Sequence, residues 1–206
     1  MDASNINDIT QDARLCVRTG LYSQAEILQQ LIDIYELPEH GTTVVQQLIQ
    51  SLWNQQLEEE ATWPDRPTDV EKLQTAFSRL EDEDRIICRM NFTCCQTCGN
   101  AEIGGEANET HIGYCFFHQQ DTEGAVMDGG LSLRYGDLEE DSKDESVVDI
   151  GQKIAARLRE EGLNVDWNED PKKTIELDPF QWRVRLAIHE GLWFEPGHRK
   201  VEALDD

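Results

Sequence analysis

No run of apolar residues in this chain approaches the roughly 18 needed to span a membrane as a helix. The opening residues, Met1-Asp2-Ala3-Ser4-Asn5, have neither the basic nor the apolar region of a secretory signal. Basic residues are scarce: 18 Lys and Arg stand against 42 Asp and Glu, a net charge of −24. Such a polyanion repels nucleic-acid phosphates unless it carries a local basic patch, and none is visible. Anionic membrane surfaces are disfavoured for the same reason. Nothing repeats at the spacing of about 20–50 residues that marks a solenoid. Hydrophobic residues make up only 38%, low for a globular protein but too many for a disordered one. The expectation is a soluble, cytoplasmic protein without nucleic-acid or membrane partners.

The acidity is spread along the chain. Residues 1–67, 68–136 and 137–206 carry net charges of −8 (3 basic, 11 acidic), −7 (5 and 12) and −9 (10 and 19). Acidic runs lie at 58–60, 81–84 and 137–145. Runs of this kind mostly solvate helix ends and loops. A field of this size also suits an inhibitor or immunity-type partner of a basic protein.

Hydrophobic spacing predicts helices first. Ile6, Ile9, Ala13 and Cys16 fall on one helical face, and Gly20 stops the pattern. Ser23 with Glu26 forms a capping box ahead of a stripe of Ile27, Leu28, Leu31 and Ile34. Pro38 and Gly41 break that pattern. Val45, Leu48, Ile49, Leu52 and Trp53 predict a third helix ending near Glu60. Residues 61–67, with two prolines, read as a linker. Thr68 with Glu71 caps a fourth helix carrying Val70, Leu73, Phe77 and Leu80.

Strands and helices then alternate. Strands are expected at 86–92, 111–118, 131–135, 165–167 and 174–177, the last two as a hairpin. A turn or short helix is expected at 94–102. Another short helix, capped by Asp121, should end at Gly129-Gly130, and a longer one should run from Ser146 to Gly162. The fold class is therefore α/β or α+β: an N-terminal helical segment, then a mixed sheet of about five strands covered by helices. Segment boundaries are set at 1–63, 64–185 and 186–206. In the stretch 180–203, the anchors Trp182, Leu186, Ile188, Trp193 and Phe194 suit a sheet edge or a dimer contact equally.

The six cysteines are Cys16, Cys88, Cys94, Cys95, Cys98 and Cys115. A reducing compartment argues against a disulfide framework. Cys16 and Cys88 sit on apolar faces and read as core. Cys94, Cys95 and Cys98 crowd into five residues within a stretch, 91–100, that has no charged residue. Cys95 and Cys98 form Cys-x-x-Cys, whose sulfurs can converge on a metal or close as a disulfide. No second pair follows, so a fourth zinc ligand must come from elsewhere. His118 is the best candidate. It ends an aromatic strand, sharing a face with Ile112, Tyr114 and Phe116, while Cys115 lies on the other face. His111, at the opposite end of that strand, reads as a surface histidine. After His118 comes a polar burst, Gln119, Gln120, Asp121, Thr122 and Glu123, of the kind that builds sites above strand ends.

Other readings compete with metal binding. Strand, Cys-x-x-Cys and helix is an order that lowers the first thiol's pKa for redox chemistry, although no cis-proline signal follows at the usual place. A cysteine with His118, oriented by Asp121 or Glu123, has the components of a nucleophilic site. Simple packing would also account for the cysteines.

These motifs carry a resemblance. Asn91-Phe92-Thr93-Cys94-Cys95-Gln96-Thr97-Cys98-Gly99, then Ala101-Glu102-Ile103, Gly113 and Phe116-Phe117-His118-Gln119-Gln120-Asp121-Thr122-Glu123, resemble an uncharacterised bacterial family, domain of unknown function 6891. Trp63-Pro64, Thr68-Asp69, Tyr135-Gly136 and Gly162-Leu163 fit the same pattern. The resemblance covers most of 10–185, while 137–145 and the tail after Arg185 look peculiar to this chain. It implies no activity. It implies that the cysteine and histidine motifs belong together. The expected site is thus Cys94, Cys95, Cys98 and His118 as metal ligands, with Gln119, Gln120, Asp121 and Glu123 around them. Zinc is the expected cofactor, in a binding or regulatory role. The alternatives are an enzyme using thiol redox or metal chemistry there, and an acidic protein partner.

Overall fold

A computed structural model describes residues 3–139 and 141–186. Most of the expected C-terminal extension, including Ile188, Trp193 and Phe194, lies outside the described residues. The chain forms two compact units. Among the described residues, the first holds the chain up to Arg66 together with 183–186, and the second runs Pro67–Trp182.

The first unit is three helices, α1 (Ala3–Thr19), α2 (Gln24–Tyr35) and α3 (Glu39–Glu60). Ile9, Ala13 and Val17 of α1 meet Ile27 and Leu31 of α2 and Val45, Ile49 and Leu52 of α3 in one core. Leu186 closes that core, and its N–H donates to Glu60 Oε1 at 2.8 Å. The buried stripe of α1 steps by four residues, so Val17 is inside while Ile6 is 47% exposed. Ile34 likewise falls outside the α2 stripe, at 65% exposed. The Ser23–Glu26 capping box forms as expected, its two bonds satisfying N–H groups that a helix start leaves unpaired. The break between α2 and α3 falls at Pro38 as expected, but Gly41 lies inside the next helix. Pro38 caps α3, and Gly41 is buried in its first turn.

The second unit is an α+β fold around one five-stranded mixed sheet. Its elements are α4 (Asp69–Asp84), β1 (Ile86–Arg89), α5 (Gln96–Glu106), β2 (Gly113–Phe116), α6 (Gln119–Asp128), β3 (Leu131–Asp137), α7 (Asp144–Glu160), β4 (Val165–Asp166) and β5 (Ile175–Leu177). The strand order is β1-β2-β3-β5-β4, parallel only between β1 and β2. Ile86 pairs with Gly113 and Arg89 with Phe116. Alternation sends Ile86, Cys88, Gly113 and Cys115 to one face, where α4 and α7 pack. A Cβ on Gly113 would lie 2.8 Å from the backbone oxygen of Gly136 on β3 and 2.7 Å from Ile150 of α7, so the close packing there calls for glycine. Ile87 and Phe116, on the other face, pack with Phe92 and with Ile103 of α5. α6 reaches the same face, where Asp121 meets Arg134 of β3.

The strands are shorter than expected at the site. The strand expected at 86–92 stops at Arg89, because Asn91 and Thr93 take left-handed backbone angles, φ 51° and 58°. α7 starts at Asp144, with the Lys143 N–H donating to Ser146 Oγ, instead of at Ser146. The Asp178–Pro179 peptide bond is cis. Among the described residues, no helix is long and apolar enough to cross a membrane.

Candidate metal centre

Because β1 and β2 are parallel neighbours, their carboxyl ends lie side by side, each followed by a turn into a helix. This is where open sheets place their sites. The two exits are tied together. Phe117 N–H donates to Arg89 O at 3.3 Å, Phe92 N–H to Phe117 O at 2.8 Å, and Gln119 N–H to Thr93 O at 3.1 Å. The buried Thr122 hydroxyl donates to Asn91 Oδ1 at 2.8 Å. The cysteine motif and the histidine motif therefore form one assembly.

Within it the loop 91–95 is sharply bent. Asparagine tolerates left-handed angles, but a β-branched threonine there is strained by about 1–2 kcal/mol. The Thr93 hydroxyl donates to Cys95 O at 3.1 Å and fixes the bend. Cys95 then caps α5 in extended conformation, and Gly99 N–H donates to Cys95 O at 3.0 Å to begin the helix. One turn in, Cys98 returns to the same side. Gly99 lets α5 lie against Phe116, since a Cβ there would sit 2.4 Å from that ring.

The result is a triangle of sulfurs. Cys94 Sγ and Cys98 Sγ are 3.5 Å apart, and Cys95 Sγ and Cys98 Sγ 3.8 Å. All three lie within 4.8 Å of one another, a grouping that can hold a metal ion. Zinc–sulfur bonds of about 2.3 Å at tetrahedral angles separate sulfurs by about 3.8 Å. A disulfide would need a sulfur separation of about 2.05 Å. Cys94 is exposed, Cys95 and Cys98 partly so. The backbone N–H of Cys98, its thiol and that of Cys94 hold the Cys95 thiol below its usual value. Cys98, facing Cys94 and Cys95, is pushed up to about 11.

His118 does not join this triangle. It is buried and caps α6. Its Nδ1 accepts from Asp121 N–H at 3.3 Å, and its own N–H donates to Asp121 Oδ2 at 2.9 Å. Burial lowers its pKa, with the charge of Asp121, whose Oδ2 lies 3.0 Å from Nδ1, opposing. Asp121 Oδ2 also receives Arg134 Nη1 at 2.5 Å. The expected strand-end ligand is thus a capping group, because the chain turns into α6 immediately after it. Asp121 is the partner in that cap, and Gln119 contributes the backbone bond to Thr93. Gln120 is exposed, and Glu123 lies partly buried along α6.

Sequence reasoning missed four residues of this assembly. Asn91 and Thr93 give no local sign of left-handed backbone. Gly99 stands beside Cys98, but its need to be glycine depends on Phe116. Arg134 could have been noticed as the one basic residue of its strand. The remaining cysteines lie elsewhere. Cys88 and Cys115 are buried register partners in β1 and β2, and burial raises the Cys88 thiol far above its usual value. Cys16 packs against the helical core of the first unit. His111 Nδ1 accepts from Asn108 N–H at 3.0 Å, at the opposite end of β2.

Comparison with curated proteins and with solved structures finds no match in either. Over residues 2–186, which hold both motifs, the chain belongs to the family described as Domain of unknown function (DUF6891).

Proposed function

We propose that this is a metal-binding protein holding one zinc ion on Cys94, Cys95 and Cys98, in a binding or regulatory role. The observation that carries the reading is the sulfur spacing, 3.5 and 3.8 Å, which matches the edge of a tetrahedral zinc–thiolate site. Soft thiolate donors without a carboxylate favour zinc over magnesium or calcium. His118, Asp121 and Arg134 act as positioning residues that hold the α6 turn against the cysteine loop. A cytoplasmic location fits, since reduced thiols persist there. The test is metal analysis of protein purified without added metal or thiol reductant. About one zinc per chain is expected, with three thiols becoming reactive on chelation. Cys98→Ser should lose the ion, and Cys16→Ser should keep it. Metal-free protein with a Cys95–Cys98 disulfide would overturn the reading.

A second reading, thiol redox chemistry, is favoured by the divergence of the two pKa values, Cys95 lowered and Cys98 raised. A measurable and reversible disulfide potential in the metal-free protein would support it.

A further inference from the structure

We infer that the ion on Cys94, Cys95 and Cys98 keeps one coordination position for a ligand from outside the chain, and that this ligand is a thiol. The inference rests on the metal reading above and deepens it. Three sulfurs supply one face of a tetrahedron, and a tetrahedral ion takes a fourth donor. Among the described residues, no other cysteine, histidine or carboxylate joins the group. The nearest expectation, His118, is buried with its Nδ1 on the Asp121 N–H. Cys88 and Cys115 are buried in the sheet. Cys94 is exposed, so the triangle has a side that solvent reaches.

The donor set selects what binds. Three thiolates leave a divalent ion with a net charge of −1, so it polarises bound water weakly. It also gains little from a hard carboxylate, since zinc on soft thiolate donors prefers a further sulfur. A fourth sulfur completes the all-thiolate set that zinc takes readily. The incoming thiol gives its proton to solvent on binding. The N–H groups of the α5 N-terminus, where Cys95 is the cap and the Cys98 N–H already faces its sulfur, offset the added negative charge. The source is either a small-molecule thiol or the cysteine of a protein partner, for which the acidic surface would favour basic flanks.

The test uses the full chain loaded with cobalt(II), kept reduced by a phosphine and monitored by light scattering for self-association. A thiolate-to-cobalt absorption band of three-thiolate intensity is expected. Titration with 2-mercaptoethanol should raise it by about one third, as three sulfur donors become four, with cobalt still eluting with the protein. Acetate at the same concentration should leave the band unchanged. A band that does not respond, or loss of cobalt to the thiol, overturns the proposal, because the fourth position is then filled by the chain or a second copy, or is not built. An equal response to acetate overturns the preference for sulfur. If no cobalt binds at all, the metal reading itself has failed, a result distinct from these. A lysine-flanked cysteine peptide that binds more tightly than 2-mercaptoethanol, with the gain lost in high salt, assigns the source to a protein partner. Equal affinity assigns it to a small thiol.

Discussion

Replacing Gly99 by alanine should displace the helix that carries Cys98, whereas the same replacement at Gly104 should not. Both glycines lie in α5 with ordinary helical backbone, where alanine gains about 0.8–1.0 kcal/mol in propensity. The difference between them is tertiary. A Cβ at Gly104 has nothing within 4 Å, but one at Gly99 would lie 2.4 Å from Phe116 Cε2 and 2.7 Å from Cζ. Carbon atoms sit comfortably at about 3.5–4.0 Å, so the overlap is about 1 Å. Phe116 cannot yield. It is fully buried, edge-on to Phe92 at 5.8 Å and stacked with Tyr114 at 6.0 Å. Overpacking of this kind costs about 1–3 kcal/mol. Set against the propensity gain, Gly99→Ala should lose about 1 kcal/mol net, while Gly104→Ala gains somewhat less than 1 because it lies in the last turns. Urea unfolding of the metal-free, reduced protein measures both. A shift of α5 by a fraction of an ångström also opens the sulfur triangle, so zinc affinity in Gly99→Ala should fall about 10–100-fold, as when supporting contacts are lost. A Gly99→Ala protein as stable as Gly104→Ala, with zinc affinity unchanged, would refute the placement of α5 on Phe116 and the sulfur geometry built on it.

Three further outcomes follow from the α6 turn. His118→Ala should destabilise by about 1 kcal/mol as a lost N-cap, His118→Asn should restore most of it, and both should keep the full zinc content; loss of zinc in His118→Asn would make His118 a ligand after all. Stability of the metal-free protein should fall as pH drops below about 6.5. The folded pKa of His118 is lowered by burial and by Arg134 against the pull of Asp121, so the unfolded chain takes up the proton first; a urea midpoint that rises on acidification, or one equally pH-dependent in His118→Asn, would contradict this. Thr122→Val should cost about 1–3 kcal/mol by leaving Asn91 Oδ1 without its donor, and should loosen the loop, seen as faster amide exchange at 91–95.

Local chemistry decided much of this protein from sequence alone. The capping boxes at Ser23 and Thr68 formed because both partners are three residues apart and need nothing else. The hairpin of β4 and β5, the glycine stop at Gly129 and the left-handed Gly162 after α7 are legible for the same reason. The clustering of Cys94, Cys95 and Cys98 on a turn into a helix is written in their spacing. What depends on distant neighbours was not legible. Ile6 and Ile34 fit a helical stripe as well as their buried neighbours do, and only the packing of α1, α2 and α3 says which side is inside. His118 looked like a ligand because it ends an aromatic strand, and became a cap because α6 starts there and Asp121 and Arg134 converge on it. The parallel pairing of β1 with β2 brought the two motifs together, through hydrogen bonds between residues some thirty positions apart. Residue types and short spacings set the chemistry available to the site, and strand pairing set which of those residues meet.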